Sequence, residues 1–349
     1  MSAYTLRKIN LDTDNAVMTK LISHNLKTGD ELASQSIEWS YKQNPVENAS
    51  GIALLNEDSE VVGLINQSYR HFFINNKRSK VVVFGDLVVD DKHRSLMPAI
   101  MLIREALKDS LEKTPLVYSF PNKKSANVAL RAGFILLGKM TRYVFIVSYY
   151  EYLYKKIPLP EILRPLFKVL DIIPRVLNRF RNKKIYSKYF PVFQSVSNIE
   201  IEIISKKSFL NKYILAHRTE EFINWRYNKN PFFNFETIKC LTRDTNTCSG
   251  YGILEISAAL LHIRDIYAAD IDSFRALLIF AIDKARKLSI PGVSISFLGD
   301  PALSTVIVRS GFVKRESERS VVIKPLDNLE VGFYINHNNW YILDGDEDH

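Results

Sequence analysis

A strand-to-helix junction in the first half of the chain carries residues suited to binding an anion. A buried strand is predicted over VVVFGDLVV (81–89), and an amphipathic helix is predicted from about Leu96 to Leu111. The first turn of a helix offers unpaired N–H groups and the positive end of the helix dipole, so the segment LVVDDKHRSLMPA (87–99) predicts an anion site. Asp86 on the strand and His93 in the junction add titratable side chains.

The corresponding junction of the second half, IYAADIDSFRAL (266–277), has the opposite charge. Asp270 and Asp272 stand where the helix begins, and two carboxylates would repel a phosphate there. The sequence therefore predicts one candidate anion site, in the first half, and a structural or substrate-binding role for the second half.

These junctions belong to a module that occurs twice. The box IEWSYKQNP (37–45) recurs as INWRYNKNP (223–231), with five identical positions of nine. Strands, a central helix, a short strand, a helix and a Gly-Phe pair follow each box, and Gly133 and Gly311 begin the two pairs. The box aromatics could line an acceptor groove, but core packing is the interpretation that we favour.

Composition limits the class of protein. The 349 residues are 46% hydrophobic and 24% charged, which is typical of a folded chain with more than one domain. The two cysteines form no metal-binding pattern, so we expect no metal site. We identify neither a signal peptide nor an apolar run of about 18 residues, and we therefore expect a cytoplasmic protein. The predicted domains are residues 1–148, a linker over 149–197, and residues 198–349.

The linker concentrates the positive charge. Between Glu151 and Phe190 there are ten Lys or Arg and three acidic residues, a net +7 within a chain of net +9. Four prolines are expected to divide it into short helices. It could be a solvated connector, an amphipathic segment that contacts an anionic membrane through 155–188, or an RNA-binding segment, which is the least favoured of the three.

Two motifs in the first half resemble the Gcn5-related N-acetyltransferase (GNAT) superfamily. Val89 is followed five residues later by Arg94 and the turn RSLMPA, which resembles the acyl-CoA motif of that family. Asn122 precedes Gly133 by eleven residues, as in a second family signature. The resemblance covers 4–147 well and 199–323 more loosely. It implies an α/β fold of two tandem GNAT-like modules, each a mixed β-sheet flanked by helices, joined by the basic helical linker.

The resemblance also implies an activity and a set of site residues. Acetyl-CoA or another acyl-CoA would be the donor, and the acceptor would attack the thioester directly, with the backbone N–H of Val89 polarising its carbonyl group. Candidate acids and bases are Asp86, His93, Tyr118 and Tyr143. The residues expected to bind the cofactor are Leu87, Val88, Val89, Arg94, Ser95, Leu96, Met97, Pro98, Ala99, Asn122 and Ser125.

The chain departs from the family pattern at several positions. Met97 replaces an expected glycine and would crowd the pyrophosphate loop, while Ala129 and Ile307 replace the frequent catalytic tyrosine. An alternative is therefore a catalytically inactive scaffold, with the slot filled by the Met97 side chain.

The W-x-Y-x-x-N-P box, the FPN-x-x-S stretch and the end NNWYILDGDEDH resemble bacterial acyltransferases associated with surface polysaccharides. The implied acceptor is an amino sugar or another glycan precursor, either a small molecule or lipid-linked at the inner membrane face. Asp344 or Asp346 could reach it. A Fem-like aminoacyltransferase is a weaker alternative, and the sequence does not favour nucleic-acid binding or define an oligomeric state.

Overall fold

The computed structural model describes residues 4–27, 29–149, 179–326 and 331–348. Its first half alternates helices and strands in the predicted order. The helices are α1 (Asn15–Leu26), α2 (Asp30–Ile37), α3 (Leu96–Leu111) and α4 (Lys123–Ala132). The strands are β1 (Thr5–Lys8), β2 (Ser50–Leu55), β3 (Val61–Ile74), β4 (Lys77–Val89), β5 (Leu116–Ser119), β6 (Ile135–Lys139) and β7 (Thr141–Ile146).

The second half repeats much of this order. Its helices are α5 (Lys183–Lys188), α6 (Asn198–Lys207), α7 (Glu220–Ile223), α8 (Ile271–Lys287), α9 (Pro301–Arg309) and α10 (Val331–Ile335). Its strands are β8 (Tyr189–Phe193), β9 (Leu215–Ala216), β10 (Phe235–Thr242), β11 (Cys248–Ile256), β12 (Leu261–Ala268), β13 (Gly292–Gly299), β14 (Val313–Arg315), β15 (Ser320–Pro325) and β16 (Tyr341–Leu343).

The strands form two mixed sheets of eight strands each, which confirms the predicted fold class. The first sheet has the order β1-β2-β3-β4-β5-β15-β6, with β9 beside β3. The second has the order β14-β7-β13-β12-β11-β10-β8, with β16 beside β13. The pairs β4–β5 and β12–β13 are parallel, and helices α3 and α8 make the crossovers that such pairs require. Each helix buries an apolar face on its sheet, for example Leu102, Ile103 and Ala106 of α3.

The two halves exchange a strand, which the sequence patterns did not predict. Strand β7 leaves the first half after Met140 and pairs with β13 and β14 in the second sheet. Strand β15 of the second half inserts between β5 and β6 of the first sheet. Each sheet is thus completed by the other half of the chain. The domain boundaries derived from the sequence stay predictions.

The repeated box joins the two halves at a near-symmetric contact. The rings of Trp39 and Trp225 are stacked with centroids 5.2 Å apart. Each indole N–H donates to the backbone carbonyl of the other tryptophan, at 2.9 Å and 3.0 Å. Both tryptophans are buried, as are Tyr41 and Tyr227, which confirms the structural interpretation of the box.

The predicted linker falls largely outside the described residues, because residues 150–178 belong to none of the ranges above. The described end of the linker comprises residues 179–181, helix α5 and strand β8, which pairs with β10. Within the described ranges, no helix is both long and apolar enough to cross a membrane.

Candidate functional site

A cleft opens in the first sheet where β4 and β5 separate. Their pairing ends at Phe84 and Ser119, although β4 continues to Val89. A β-bulge disturbs β4 opposite β3 at this point, and Asp86 adopts a positive φ of 43°. The bulge turns β4 away from β5. The cavity between the strands has a volume of about 430 Å³.

The lining of the cleft combines two chemically different sets of residues. Ser119, Asn122 and Ser125 offer neutral polar groups, beside an apolar wall from α3, α4 and the sheet. The acidic residues of the lining are Asp86, Glu347 and Asp348. Of the described residues that line the cleft, none is Lys, Arg or His. The full lining is Ile65, Phe84, Gly85, Asp86, Leu87, Val88, Ile103, Ser119, Phe120, Pro121, Asn122, Ser125, Ala129, Phe134, Glu347 and Asp348.

Asp86 occupies the position that the sequence predicted beside the cofactor. The bulge places it on the cleft wall, and Tyr41 of the repeated box donates a hydrogen bond to its Oδ2 atom at 3.2 Å. Burial and the adjacent Asp86 charge raise the pKa of Tyr41 well above its usual range, so Tyr41 remains a donor at neutral pH.

The acidic end of the chain supplies the other two carboxylates. Residues 344–346 form a short 3₁₀ turn that is buried between the halves. Asp344 is paired with Arg319 at 2.6 Å and with His262, and Asp346 is paired with Arg218 at 3.2 Å. The sequence analysis proposed that Asp344 or Asp346 reaches the acceptor site. Neither lines the cleft, and Glu347 and Asp348 are the tail residues that do.

Backbone contacts hold this tail in place. Arg226 donates to the carbonyl oxygens of Glu347 and Asp348 at 2.9 Å and 3.1 Å. The Tyr118 hydroxyl donates to the carbonyl oxygen of Asp346 at 2.9 Å. Gly85 leaves the space that the Asp348 carboxylate occupies, because a Cβ atom at this position would overlap that carboxylate. The path of the tail is therefore fixed at several points.

Glu347 has the environment of a proton-accepting group. Burial raises the pKa of its carboxyl to about 7, and the neighbouring Asp348 and Asp344 carboxylates add to the rise. Arg319, whose Nη1 atom lies 2.9 Å from Oε2 of Glu347, opposes the rise without cancelling it. A carboxyl with a pKa near neutrality can both accept and return a proton at cellular pH.

The equivalent opening in the second sheet is filled by the chain itself. Pairing of β12 with β13 ends at Ile263 and Ile295, and β16 then pairs along β13 in the space that remains. The buried Tyr341 hydroxyl of β16 donates to the carbonyl oxygen of Ile266 on β12. Asp270 and Ser273 cap the start of α8 with their own side chains. The absence of an anion site from the second half stays a prediction.

The predicted cofactor residues divide into two groups. Leu87, Val88, Asn122 and Ser125 line the cleft. Asn122 also caps α4 by accepting from the N–H groups of Lys124 and Ser125, which confirms the capping interpretation, while its contact with CoA stays a prediction. The remaining predicted residues lie at the end of β4 and the start of α3, outside the cleft lining, and are Val89, Arg94, Ser95, Leu96, Met97, Pro98 and Ala99.

The start of α3 retains the features of an anion site. Ser95 is the N-cap and makes no capping hydrogen bond through its side chain, and the first turn contains no acidic residue. Met97 is 61% exposed, so its side chain does not fill the slot as the scaffold alternative requires. Arg94 is exposed and paired with Asp91 at 2.6 Å, so an incoming phosphate would compete with that carboxylate.

Three of the four predicted acids and bases lie away from the cleft. His93 stands outside it, where the Tyr4 hydroxyl contacts Nδ1 at 3.0 Å. Tyr143 lies on the exchanged strand β7 and is packed in the core of the second sheet. Tyr118 is buried and anchors the tail, and burial raises its pKa far above its usual range, so it lacks the properties of an acid for this cleft. Only Asp86 of this set lines it.

Sequence reasoning missed the two tail residues that line the cleft. The available signal was the acidic run Asp344–Asp348, but its charge pattern is also that of a solvated tail. The acidic run is not a solvated tail, because the pairing of β16 with β13 directs the residues that follow toward the cleft of the first sheet.

The fold is shared with several solved structures. A conserved protein of Enterococcus faecalis V583, named a probable N-acyltransferase, matches 93% of this chain and 73% of its own, with a TM-score of 0.64 and 11% identity. A GCN5-related N-acetyltransferase from Anabaena variabilis ATCC 29413 matches the same shares, with a TM-score of 0.64 and 12% identity.

A GCN5-related glucosamine N-acetyltransferase region of a fungal multi-domain β-N-acetylglucosaminidase matches 92% of this chain and 38% of its own, with a TM-score of 0.57 and 9% identity. At these identities the similarity shows the fold alone. No protein-family model and no curated protein sequence matches the chain.

Proposed function

We propose that the protein is an acyl-CoA-dependent N-acyltransferase whose site is the cleft between β4 and β5. The observation that carries the proposal is a cleft whose lining combines neutral polar residues with three acidic residues. Acetyl-CoA is the donor that we expect. The fold shared with N-acetyltransferases supports this class of reaction.

The neutral polar residues of the lining suit the donor. Ser119, Asn122 and Ser125 can exchange hydrogen bonds with the amides of a pantetheine chain, while Ile103 and Phe134 provide an apolar wall. The first turn of α3 lies at the end of β4, where its N–H groups can receive the pyrophosphate. A cleft of about 430 Å³ accommodates the pantetheine arm, with the nucleotide portion outside it.

The acidic residues of the lining suit an amine acceptor. Asp86, Glu347 and Asp348 favour a protonated amine over a neutral hydroxyl or an anionic acceptor. An amino sugar meets this requirement. The glucosamine N-acetyltransferase region among the structural neighbours makes glucosamine the first acceptor to test. A lipid-linked acceptor of an envelope polysaccharide at the inner membrane face stays a proposal that rests on the sequence resemblance.

The open cleft argues against the scaffold alternative. A scaffold was predicted to have its slot filled by Met97, and that side chain points to solvent instead. We therefore retain catalysis as the proposed function of the first module and assign the second module to positioning the tail.

Calorimetric titration with acetyl-CoA tests the donor site. We expect saturable micromolar binding that Ser125→Trp abolishes, because the indole would occupy the cleft beside Asn122. Lys124→Trp is the matched control, since Lys124 is exposed on the same helical turn and does not line the cleft. Absence of binding by the parent protein, or equal binding by both variants, would reject this site.

A further inference from the structure

Strand β16 fills the gap between β12 and β13 in the second module, and the residues that follow β16 run toward the first module. Strand β16 pairs with β13 from Tyr341 to Leu343, and the residues after it reach the cleft wall at Glu347. A single continuous segment therefore connects the closed slot of one module to the open cleft of the other.

We propose that Glu347 is the catalytic base for the acceptor amine, and that the second module is the device that delivers it. This inference rests on the proposed function, since it assigns a role within the same cleft. It gives the second module a function although its own slot is closed.

Geometry distinguishes Glu347 from the other nearby carboxylates. Asp344 and Asp346 are buried, are bonded to Arg319, His262 and Arg218, and do not line the cleft. Glu347 is part of the cleft lining, and its carbonyl oxygen accepts a hydrogen bond from Arg226. Arg319 holds Oε2 of its carboxylate at 2.9 Å, which leaves Oε1 as the oxygen that can accept a proton.

Asp86 and Asp348 line the same cleft but differ from Glu347 in their surroundings. Asp86 accepts a hydrogen bond from Tyr41 at 3.2 Å. Asp348 lies against the backbone of Gly85. We assign both the role of attracting the ammonium group of the acceptor.

The charged groups that face Glu347 come from several parts of the fold. Arg319, between β14 and β15, and Arg264 on β12 favour its ionised form. Asp344 and Asp348 on the tail favour its protonated form, and burial has the largest effect. Because burial dominates, we expect Glu347 to titrate near neutral pH, where an acceptor amine must lose its proton.

The transfer step balances without a further reactant. Glu347 takes one proton from the ammonium group, and the free amine attacks the carbonyl carbon of the thioester. The C–N bond forms and the C–S bond breaks, and the electron pair of that bond leaves with the sulfur. The second proton lost by nitrogen is transferred to the thiolate, giving an amide and free CoA thiol.

The test compares the parent protein with Glu347→Gln, Glu347→Asp and the control Glu202→Gln. Glu202 is an exposed carboxylate on α6, paired with Lys206 and remote from the cleft lining. Thiol release from acetyl-CoA is followed between about pH 5 and about pH 9. Glucosamine is the acceptor. If the parent protein does not acetylate glucosamine, the rate of acetyl-CoA hydrolysis is compared among the variants instead. Calorimetry with acetyl-CoA is run on every variant.

We expect Glu347→Gln to bind acetyl-CoA as the parent does but to lower turnover by about 10²-fold or more, which is typical of a lost general base. The acidic limb of the pH–rate profile should also disappear. Glu347→Asp should recover part of the rate, and Glu202→Gln should match the parent.

Two contrary results have different meanings. If Glu347→Gln keeps the parent turnover and pH profile, Glu347 is not the base, while the proposed function stands. If the parent protein fails to bind acetyl-CoA, the proposed function fails and the assignment of Glu347 fails with it.

Discussion

At the scale of single residues, the aspartate that occurs at equivalent positions of the two modules has a different environment in each. Asp86 lies on the wall of the open cleft and accepts a hydrogen bond from Tyr41. Its counterpart Asp265 is 1% exposed and paired with Arg218 at 2.8 Å. Tyr227, the counterpart of Tyr41, is also buried, and its hydroxyl has no hydrogen-bond partner among the described residues. The same residue types thus form part of a site in one module and of the interior in the other.

We expect the carboxyl group of Glu347 to make the free energy of unfolding depend on pH. The pKa of its carboxyl rises from an ordinary 4.5 to about 7 on folding. Between these values the unfolded chain releases a proton that the folded protein keeps, so the free energy of unfolding decreases as pH rises through this window. Below it, both states hold the proton and the effect vanishes.

Glu347→Gln should therefore raise the free energy of unfolding above pH 7 by about 2–4 kcal/mol. It should change little at about pH 4, since Gln resembles the protonated acid. The measurement is urea denaturation at about pH 4 and about pH 8. Equal effects at both pH values, or a loss of stability at the higher one, would contradict the environment assigned to this side chain.

At the scale of elements, one module has an open cleft and the other does not, because the gap beside its pair of parallel strands is filled. In the first sheet, β4 and β5 separate after Phe84 and leave a cleft. In the second sheet, β16 occupies the gap between β12 and β13. Helices α3 and α8 also start differently. The N-cap of α8 is the acidic residue Asp270, while α3 has no acidic residue in its first turn.

A charge placed at Met97 tests whether the start of α3 receives the pyrophosphate. This position is exposed in the first turn, so substitution should leave folding intact. Met97→Glu should weaken binding of acetyl-CoA and Met97→Lys should strengthen it, with about a 5- to 30-fold difference between them. Calorimetry at low ionic strength measures both dissociation constants. Equal constants would place the pyrophosphate elsewhere.

The sequence predicted individual helices and strands better than the pairing of strands from different halves of the chain. Apolar periodicity placed the strand at 81–89 and the helix at 96–111, and the helix bounds agree with the structure. Spacing from the Gly-Phe pair identified Asn122, because this distance is fixed by one short helix. Strand exchange and the position of the tail were beyond reach, since both depend on contacts between residues far apart in the sequence. Tyr143 was misassigned for this reason.

At the scale of the whole molecule, the two halves depend on each other. Strands β7 and β15 are exchanged, the two tryptophans of the repeated box bond reciprocally, and the tail of the second half completes the cleft of the first. The first sheet without β15 would leave β5 and β6 with unpaired edges, which is unfavourable for buried strands.

Residues 1–148 produced alone should therefore fail to form a stable soluble domain. Co-expression with residues 149–349 should restore a folded complex, because the second fragment supplies β15. Size-exclusion chromatography and circular dichroism measure the outcome. A monomeric fragment 1–148 that unfolds cooperatively would contradict the requirement for the exchanged strand.

Hydrogen exchange measured with and without acetyl-CoA tests the central claim, that the cleft between β4 and β5 is the donor site, most directly. We expect new protection at residues 84–99 and 119–125, where the strand, the start of α3 and the Asn122 turn meet. We expect no change at residues 263–273, because β16 and the Asp270 cap already close that slot. Protection at 263–273 instead, or no protection anywhere, would contradict it.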